Sequence, residues 1–171
     1  MDHGRAHPQP LGRFLPDLDA AAHDAQHVGV PLGHTKGLRV LDPRTAAARF
    51  AGVWQECWVS ENVEAIIALY AEDCVHRSMP FREPHIGKQA LADYLRWSFA
   101  DEHAASVRFG TPIVDGDRAV IEFWVTFEGG GTLAGCVFAR FREGLAVETR
   151  DYWHSAEETL DNPGFLAREQ A

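Results

Sequence analysis

The sequence is short of sulfur and of basic charge. Three cysteines and two methionines are spread over 171 residues. Cys57, Cys74 and Cys136 lie far apart in apolar segments with no CxxC spacing, which excludes a disulfide framework or a zinc ribbon and predicts buried, reduced thiols. Lys and Arg number 16 against 25 Asp and Glu, for a formal charge of -9. That balance repels phosphate backbones and anionic headgroups, so nucleic acid and membrane surfaces are not expected partners. No apolar run approaches the roughly 18 residues of a membrane span. The start, Met1-Asp2-His3-Gly4-Arg5, lacks the hydrophobic stretch of a signal peptide, and a cytoplasmic location is expected.

What is present is an ordinary globular composition, 46% hydrophobic and 24% charged, enough for one core. Residues 1–42 hold many of the prolines, glycines and histidines with little periodicity, and read as a flexible N-terminal arm. Within it His23 and His27 have i, i+4 spacing, but no Glu or Cys nearby completes a metal set, so a solvent-facing pair is expected. The domain proper is read as 43–155, and 156–171 as a C-terminal tail.

Asp42-Pro43 has the chemistry of a helix start, and the spacing of Phe50, Val53, Trp54, Cys57 and Trp58 predicts a helix over 43–59 with one buried stripe. Ser60 is read as the cap of a second helix over 61–71. Residues 74–79 read as a short strand, followed by an irregular crossing enforced by Pro80, Pro84 and Gly87. A third helix begins after Gly87, with Leu91, Tyr94, Leu95 and Phe99 on one face. Four alternating segments follow at about 105–114, 118–128, 132–142 and 145–154, divided by turn signals at Asp115-Gly116-Asp117, Gly129-Gly130-Gly131 and Glu143-Gly144. Helices first and then an antiparallel meander is an α+β pattern, with three N-terminal helices packed on the concave face of a strongly curved sheet.

Four stretches carry a family resemblance: Trp54 to Tyr70 followed by Ala71-Glu72-Asp73; Arg77-Ser78-Met79-Pro80-Phe81 leading to Gly87; Val120-Ile121-Glu122-Phe123-Trp124; and Arg150-Asp151-Tyr152-Trp153-His154. In these words and in element order the chain resembles the SnoaL-like domains of the nuclear transport factor two-like superfamily. The resemblance implies a cone-shaped fold. The superfamily includes polyketide cyclases, ketosteroid isomerases, limonene-epoxide hydrolases, scytalone dehydratases and members that only bind ligands or partners, so fold alone does not give function. Comparison with the ketosteroid isomerases implies that their catalytic positions fall at Trp54, at Ser78 or Met79, and near Val137. None of these side chains can take those roles, so steroid-type isomerisation is not expected. Comparison with the epoxide hydrolases places one catalytic Asp at Asp151, the Arg and second Asp at Glu122 and Trp124, and the water-holding pair at His76 and Ser78. A dehydratase reading needs a His and an Asp about a central water, which here means His76 and Asp151.

Strand alternation puts Glu122 and Trp124 on one face, and Asp151 and Trp153 on one face. The reading adopted turns both acids into one hollow, with Asp151 and Glu122 as acid and base and His76 assisting. The alternatives are an exposed pair of Glu122 with Arg140, a structural Arg partner for Asp151, and a satisfied core His76. Trp54, Trp58, Trp97, Trp124 and Trp153 lie on different elements and are expected to wall a pocket for an apolar or polycyclic small molecule, together with Ser78, Phe81 and Val137. No metal or other cofactor is implied. The other face of 118–128 carries Ala119, Ile121, Phe123, Val125 and Phe127; either that stripe is the core, or, as adopted, it meets a second copy in a homodimer through the convex face. Catalysis on the pocket's ligand is the leading expectation, and a non-catalytic binding or association module the alternative.

Overall fold

The computed structural model describes residues 41–162, 164 and 166. The chain divides into Met1–Arg39 and Val40–Ala171. The arm with its His23 and His27 therefore lies outside the described residues.

Helix α1 (Pro43–Val59) begins as its capping chemistry predicts. Asp42 Oδ1 accepts from the backbone N–H of Arg44 and of Thr45, each at 3.1 Å, and Pro43 fills a first-turn position where no N–H is needed. Its buried stripe is Ala46, Ala47, Phe50, Ala51, Trp54 and Cys57. Ser60 does not cap the next helix. It ends α1, its hydroxyl donating to the Glu56 carbonyl at 3.1 Å, and Asn62 instead accepts from Ala65 N–H at 3.1 Å to start α2 (Val63–Ile67). Asn62→Ala should therefore destabilise the protein by about 1 kcal/mol, read from the urea midpoint at unchanged slope; no shift would show the cap to be idle.

The second helix is shorter than 61–71 because the chain is already in strand β1 (Tyr70–Arg77) at Tyr70, paired with Ala146. Two residues, β2 (His85–Ile86), pair back on β1 and lead into α3 (Gly87–Phe99), which buries Leu91, Ala92, Leu95 and Phe99. The predicted 105–114 segment is two strands, β3 (Ala104–Phe109) and β4 (Ile113–Asp115), separated by Gly110-Thr111-Pro112. Strands β5 (Arg118–Phe127), β6 (Thr132–Arg142) and β7 (Leu145–Ala156) complete the sheet. The β6–β7 hairpin turns on Glu143 and Gly144, both at positive φ (54° and 82°), the backbone of a type I′ turn whose twist matches that of the strands.

Strand order is β2-β1-β7-β6-β5-β3, with β4 also paired to β5. All pairings are antiparallel except β1 with β7, which are parallel. The sheet is thus mixed, open and mostly antiparallel, and its inner face packs on the helices.

The choice between the two faces of β5 goes against the reading adopted from sequence. Ala119, Ile121, Phe123 and Val125 are buried in the core, Ala119 and Ile121 packing with the α1 stripe. The apolar stripe is therefore not a convex dimer surface; burying it against the helices removes it from water within one chain. The C-terminal tail is also tied down in part. Thr132 Oγ1 donates to the Glu158 carbonyl and accepts from Leu160 N–H, both at 2.8 Å, and Trp124 Nε1 donates to the Leu160 carbonyl at 3.2 Å on the outer face.

Candidate functional site

The site follows from two neighbouring strands. On β1 the inward side chains are Cys74 and His76, with Ser78 continuing the alternation just past its end; on β7 they are Thr149, Asp151 and Trp153. The parallel register sets His76 directly opposite Thr149, and antiparallel pairing with β6 sets Val137 opposite Asp151. Backbone pairing of β1 with β7 ends at Arg77 and Arg150, and there the indole takes over: Trp153 Nε1 donates to the Ser78 carbonyl at 2.8 Å. Arg77 donates to the Arg82 carbonyl, closing the crossing loop, and the Arg82 guanidinium lies 6.0 Å from the Trp153 ring. Helix α3 supplies Tyr94, whose ring stacks on His85 at 4.3 Å and lies 5.6 Å from His76.

Asp151 is the unusual member. Its side chain keeps 23% of its surface exposed, so it can be reached, yet burial pushes its carboxyl up to about 8. Among the described residues the only group of opposite potential charge within 4 Å is His76, whose Nε2 lies 3.8 Å from Oδ2. That is not an ion pair. His76 is 2% exposed, and its burial, with His85 adding, pushes the imidazole down to about 3. Both members are driven to their neutral forms, so near pH 7 the site holds a protonated carboxyl beside an uncharged ring.

The other ring nitrogen, Nδ1, is hydrogen-bonded to Thr149 Oγ1 at 2.8 Å. Tyr70 and Tyr94 face the same acid. Burial and then the negative charge of Asp151 raise both phenols, Tyr94 to about 12. Two buried polar atoms in this region lack a hydrogen-bond partner, Trp54 Nε1 and Ser78 Oγ. Trp54 lies near the Tyr70 phenol and Ser78 near that of Tyr94, in each case without a bond of standard geometry.

The sequence candidates separate accordingly. Asp151 and His76 are brought together, with Val137, Ser78 and Trp153 on the same inner surface. Glu122 is not with them: it is exposed on the outer face of β5, opposite Cys136, because the core takes the odd-numbered residues of that strand. Trp124 goes with it, half-buried under Leu160. Phe81 is fully exposed on the crossing loop. Trp58 packs among Trp54, Phe99 and Phe123 and fills core volume, and Trp97 is largely exposed near Tyr94. Glu122, Trp124, Cys136, Tyr152 and Leu166 instead line a separate outer groove of about 270 Å³.

Thr149, Tyr70, Tyr94 and His85 were not singled out from sequence. Thr149 was accessible to the same parity rule, lying two residues before Asp151 on one strand face. Tyr70 was hidden by its assignment to a helix end. Among the described residues no three His, Cys, Asp or Glu side chains are placed to hold a metal, and no helix is long and apolar enough to cross a membrane.

Helices packed on one face of an open, mixed, mostly antiparallel sheet give the nuclear transport factor two-like cone fold. Within that class the chain matches the SnoaL-like domain family over residues 47–149 and belongs to it. Among solved structures it is similar to a proposed isomerase from Bacillus subtilis, at 20% identity over 67% of this chain and 90% of that one, TM-score 0.57. It is also similar to a hypothetical protein of ketosteroid isomerase-like fold from Catenulispora acidiphila in complex with trimethylamine, at 17% identity over 60% and 83%, TM-score 0.53. A third is a proposed polyketide cyclase from Sinorhizobium meliloti, at 14% identity over 60% and 93%, TM-score 0.52. At these identities the likeness is one of fold. No curated protein matches the chain.

Proposed function

We propose that the inner face around Asp151 binds an apolar small molecule carrying one oxygen acceptor, and that Asp151 exchanges a proton with it in an isomerase-, hydrolase- or cyclase-type reaction. The observation that carries this reading is a carboxyl 23% exposed with no cationic partner within 4 Å among the described residues, raised to about 8 beside a neutral His76. A structural acid in a core is normally paired; one tuned toward neutral pH suits a general acid or base. In its resting form Asp151 donates its proton to the substrate oxygen, and the carboxylate so formed takes a proton back from an adjacent carbon, restoring the acid. Trp54 Nε1 and Ser78 Oγ, which make no hydrogen bond of standard geometry among the described residues, are polar atoms that a ligand oxygen can engage. The names of the similar structures, an isomerase and a polyketide cyclase, are consistent with such chemistry.

The test uses 2-tetralone as an apolar ketone probe in deuterated water, with α-proton exchange followed by NMR. Wild-type protein is expected to accelerate exchange with an inflection near pH 8, and Asp151→Asn to lose the acceleration. A second reading, a binding-only module, is favoured by one observation: of the expected pair of acids, Asp151 alone is on the inner face and Glu122 is exposed on the outer one. Saturable binding of the probe with no exchange at any pH between 6 and 9 decides for it.

For a homodimer we propose a different patch of the outer face. Phe138 and Tyr152 are 38% and 42% exposed with ring centroids 5.5 Å apart, flanked by the Arg140–Glu148 and Arg150–Glu148 pairs at 3.5 Å. Mixed charges around an aromatic centre suit a self-complementary two-fold contact. Phe138→Glu should convert a dimer to a monomer in light scattering; a wild-type protein already monomeric at 100 μM, about the range of a weak dimer, rules this contact out.

A further inference from the structure

We propose that Thr149 holds His76 as the Nε2–H tautomer, so that the ring donates toward Asp151 Oδ2 and the exchangeable proton of the acid sits on Oδ1. Its catalytic meaning rests on the proton-exchange reading above; the tautomer itself does not.

The register of β1 and β7 makes His76 and Thr149 direct neighbours, and both are essentially closed to solvent. Their 2.8 Å contact has two possible polarities. If Nδ1 carried the proton, it would donate to Oγ1, and the Thr149 hydroxyl proton would need another acceptor. Among the described residues Thr149 Oγ1 makes no other hydrogen bond of standard geometry; the Tyr70 phenol interacts with Thr149 outside that geometry and is a poorer acceptor for the hydroxyl proton than Nδ1 at 2.8 Å. Leaving a buried O–H without a well-placed partner is costly. With Thr149 as donor both atoms are satisfied, Nδ1 has no proton, and the neutral ring carries its N–H on Nε2.

That N–H faces Asp151 Oδ2 across 3.8 Å, longer than a resting hydrogen bond. The contact tightens when the acid ionises, because a carboxylate is the stronger acceptor. The dyad thus releases one proton from Oδ1 without the imidazole changing charge. The groups packed around it agree: Tyr70 from the start of β1, Tyr94 from α3 and His85 from β2 bring no cation to Asp151, and the Arg82 guanidinium on the crossing loop acts on Tyr94 and His85 instead. Thr149 is a positioning residue acting through His76.

Long-range ¹H–¹⁵N correlation of the His76 ring in uniformly labelled full-length protein at pH 7 reads the tautomer, and ¹³C titration of the Asp151 carboxyl reads the consequence. Wild type is expected to show an unprotonated Nδ1 and a protonated Nε2. Thr149→Val removes the donor and should shift the ring toward the Nδ1–H form and raise the Asp151 midpoint by about half a unit or more, while Thr149→Ser restores both. A wild-type Nδ1–H ring overturns the proposal, as do a Val variant and wild type with the same tautomer and the same midpoint. Should the Val variant not fold, the wild-type and Ser spectra decide by themselves. If ketone exchange is absent from wild type while Nε2–H is observed, the proton-exchange reading falls and the tautomer stands.

Discussion

Replacing Asp151 with asparagine is expected to stabilise the protein at pH 7 by about 4 kcal/mol while removing its proton-exchange activity. The sign follows from the raised carboxyl. Folding holds the proton on Asp151 up to about pH 8, whereas the unfolded chain releases it near the ordinary carboxyl value of 3.8. The native state therefore has full stability from this group below pH 3.8 and loses it progressively as pH rises through 8. Asparagine has no proton to lose, so the stability difference between variant and wild type should be near zero at pH 4, grow by up to about 1.4 kcal/mol per pH unit, and level off above 8. Urea denaturation at five pH values reads this directly. A difference that shrinks as pH rises would mean that Asp151 is ionised and paired in the folded protein, and the acid–base proposal would go with it. Gain of stability with loss of activity is the usual signature of a group kept for function.

Wild-type protein has a second, opposing term. His76, lowered to about 3 from 6.5, contributes stability above 6.5 that is lost as pH falls through 3. Between about 4 and 6.5 the folded and unfolded states bind equal numbers of protons at these two sites, one on the acid and one on the imidazole respectively. The pair's combined effect is flat there and declines between 6.5 and 8.

Gly135→Ala should cost several kcal/mol, on the order of the most damaging single substitutions. A Cβ at Gly135 would lie 2.1 Å from the Tyr152 carbonyl oxygen and 2.7 Å from Trp153 Cα and Cβ. Those atoms belong to β7, the partner strand, and cannot yield without opening the β6–β7 ladder that positions Asp151. The missing side chain lets Trp153 close over β6 and reach Ser78. A thermal melt within 2 °C of wild type, about the scale of a surface substitution, would show that the strands can part there at little cost.

Much of the architecture was legible in the residues. The α1 span, the Asp42 cap, the Glu143-Gly144 turn, the β6 boundaries and the start of β7 rest on interactions within a few residues, and these come out as the local pattern predicts. Tyr70 and the shortened α2 do not, because pairing with Ala146, 76 positions along the chain, overrides a helical pattern. Glu122 failed for a related reason. Alternation tells which residues of a strand share a face, not which face is inside, and β5 offered an acid with a tryptophan on one side and an apolar stripe on the other.

The sequence by itself determined α1 and its cap, the β5, β6 and β7 segments with the turns between them, and the fact that Asp151 and Trp153 travel together on one strand face, since all of these depend on dihedral preference and period-two geometry over short distances. Only the tertiary structure decided that the β5 stripe is core, that Glu122 looks outward, and that β1 lies parallel to β7 with His76 against Thr149. Those outcomes depend on which apolar surface the helices cover and on pairing between strands some 70 residues apart, and no local periodicity encodes either.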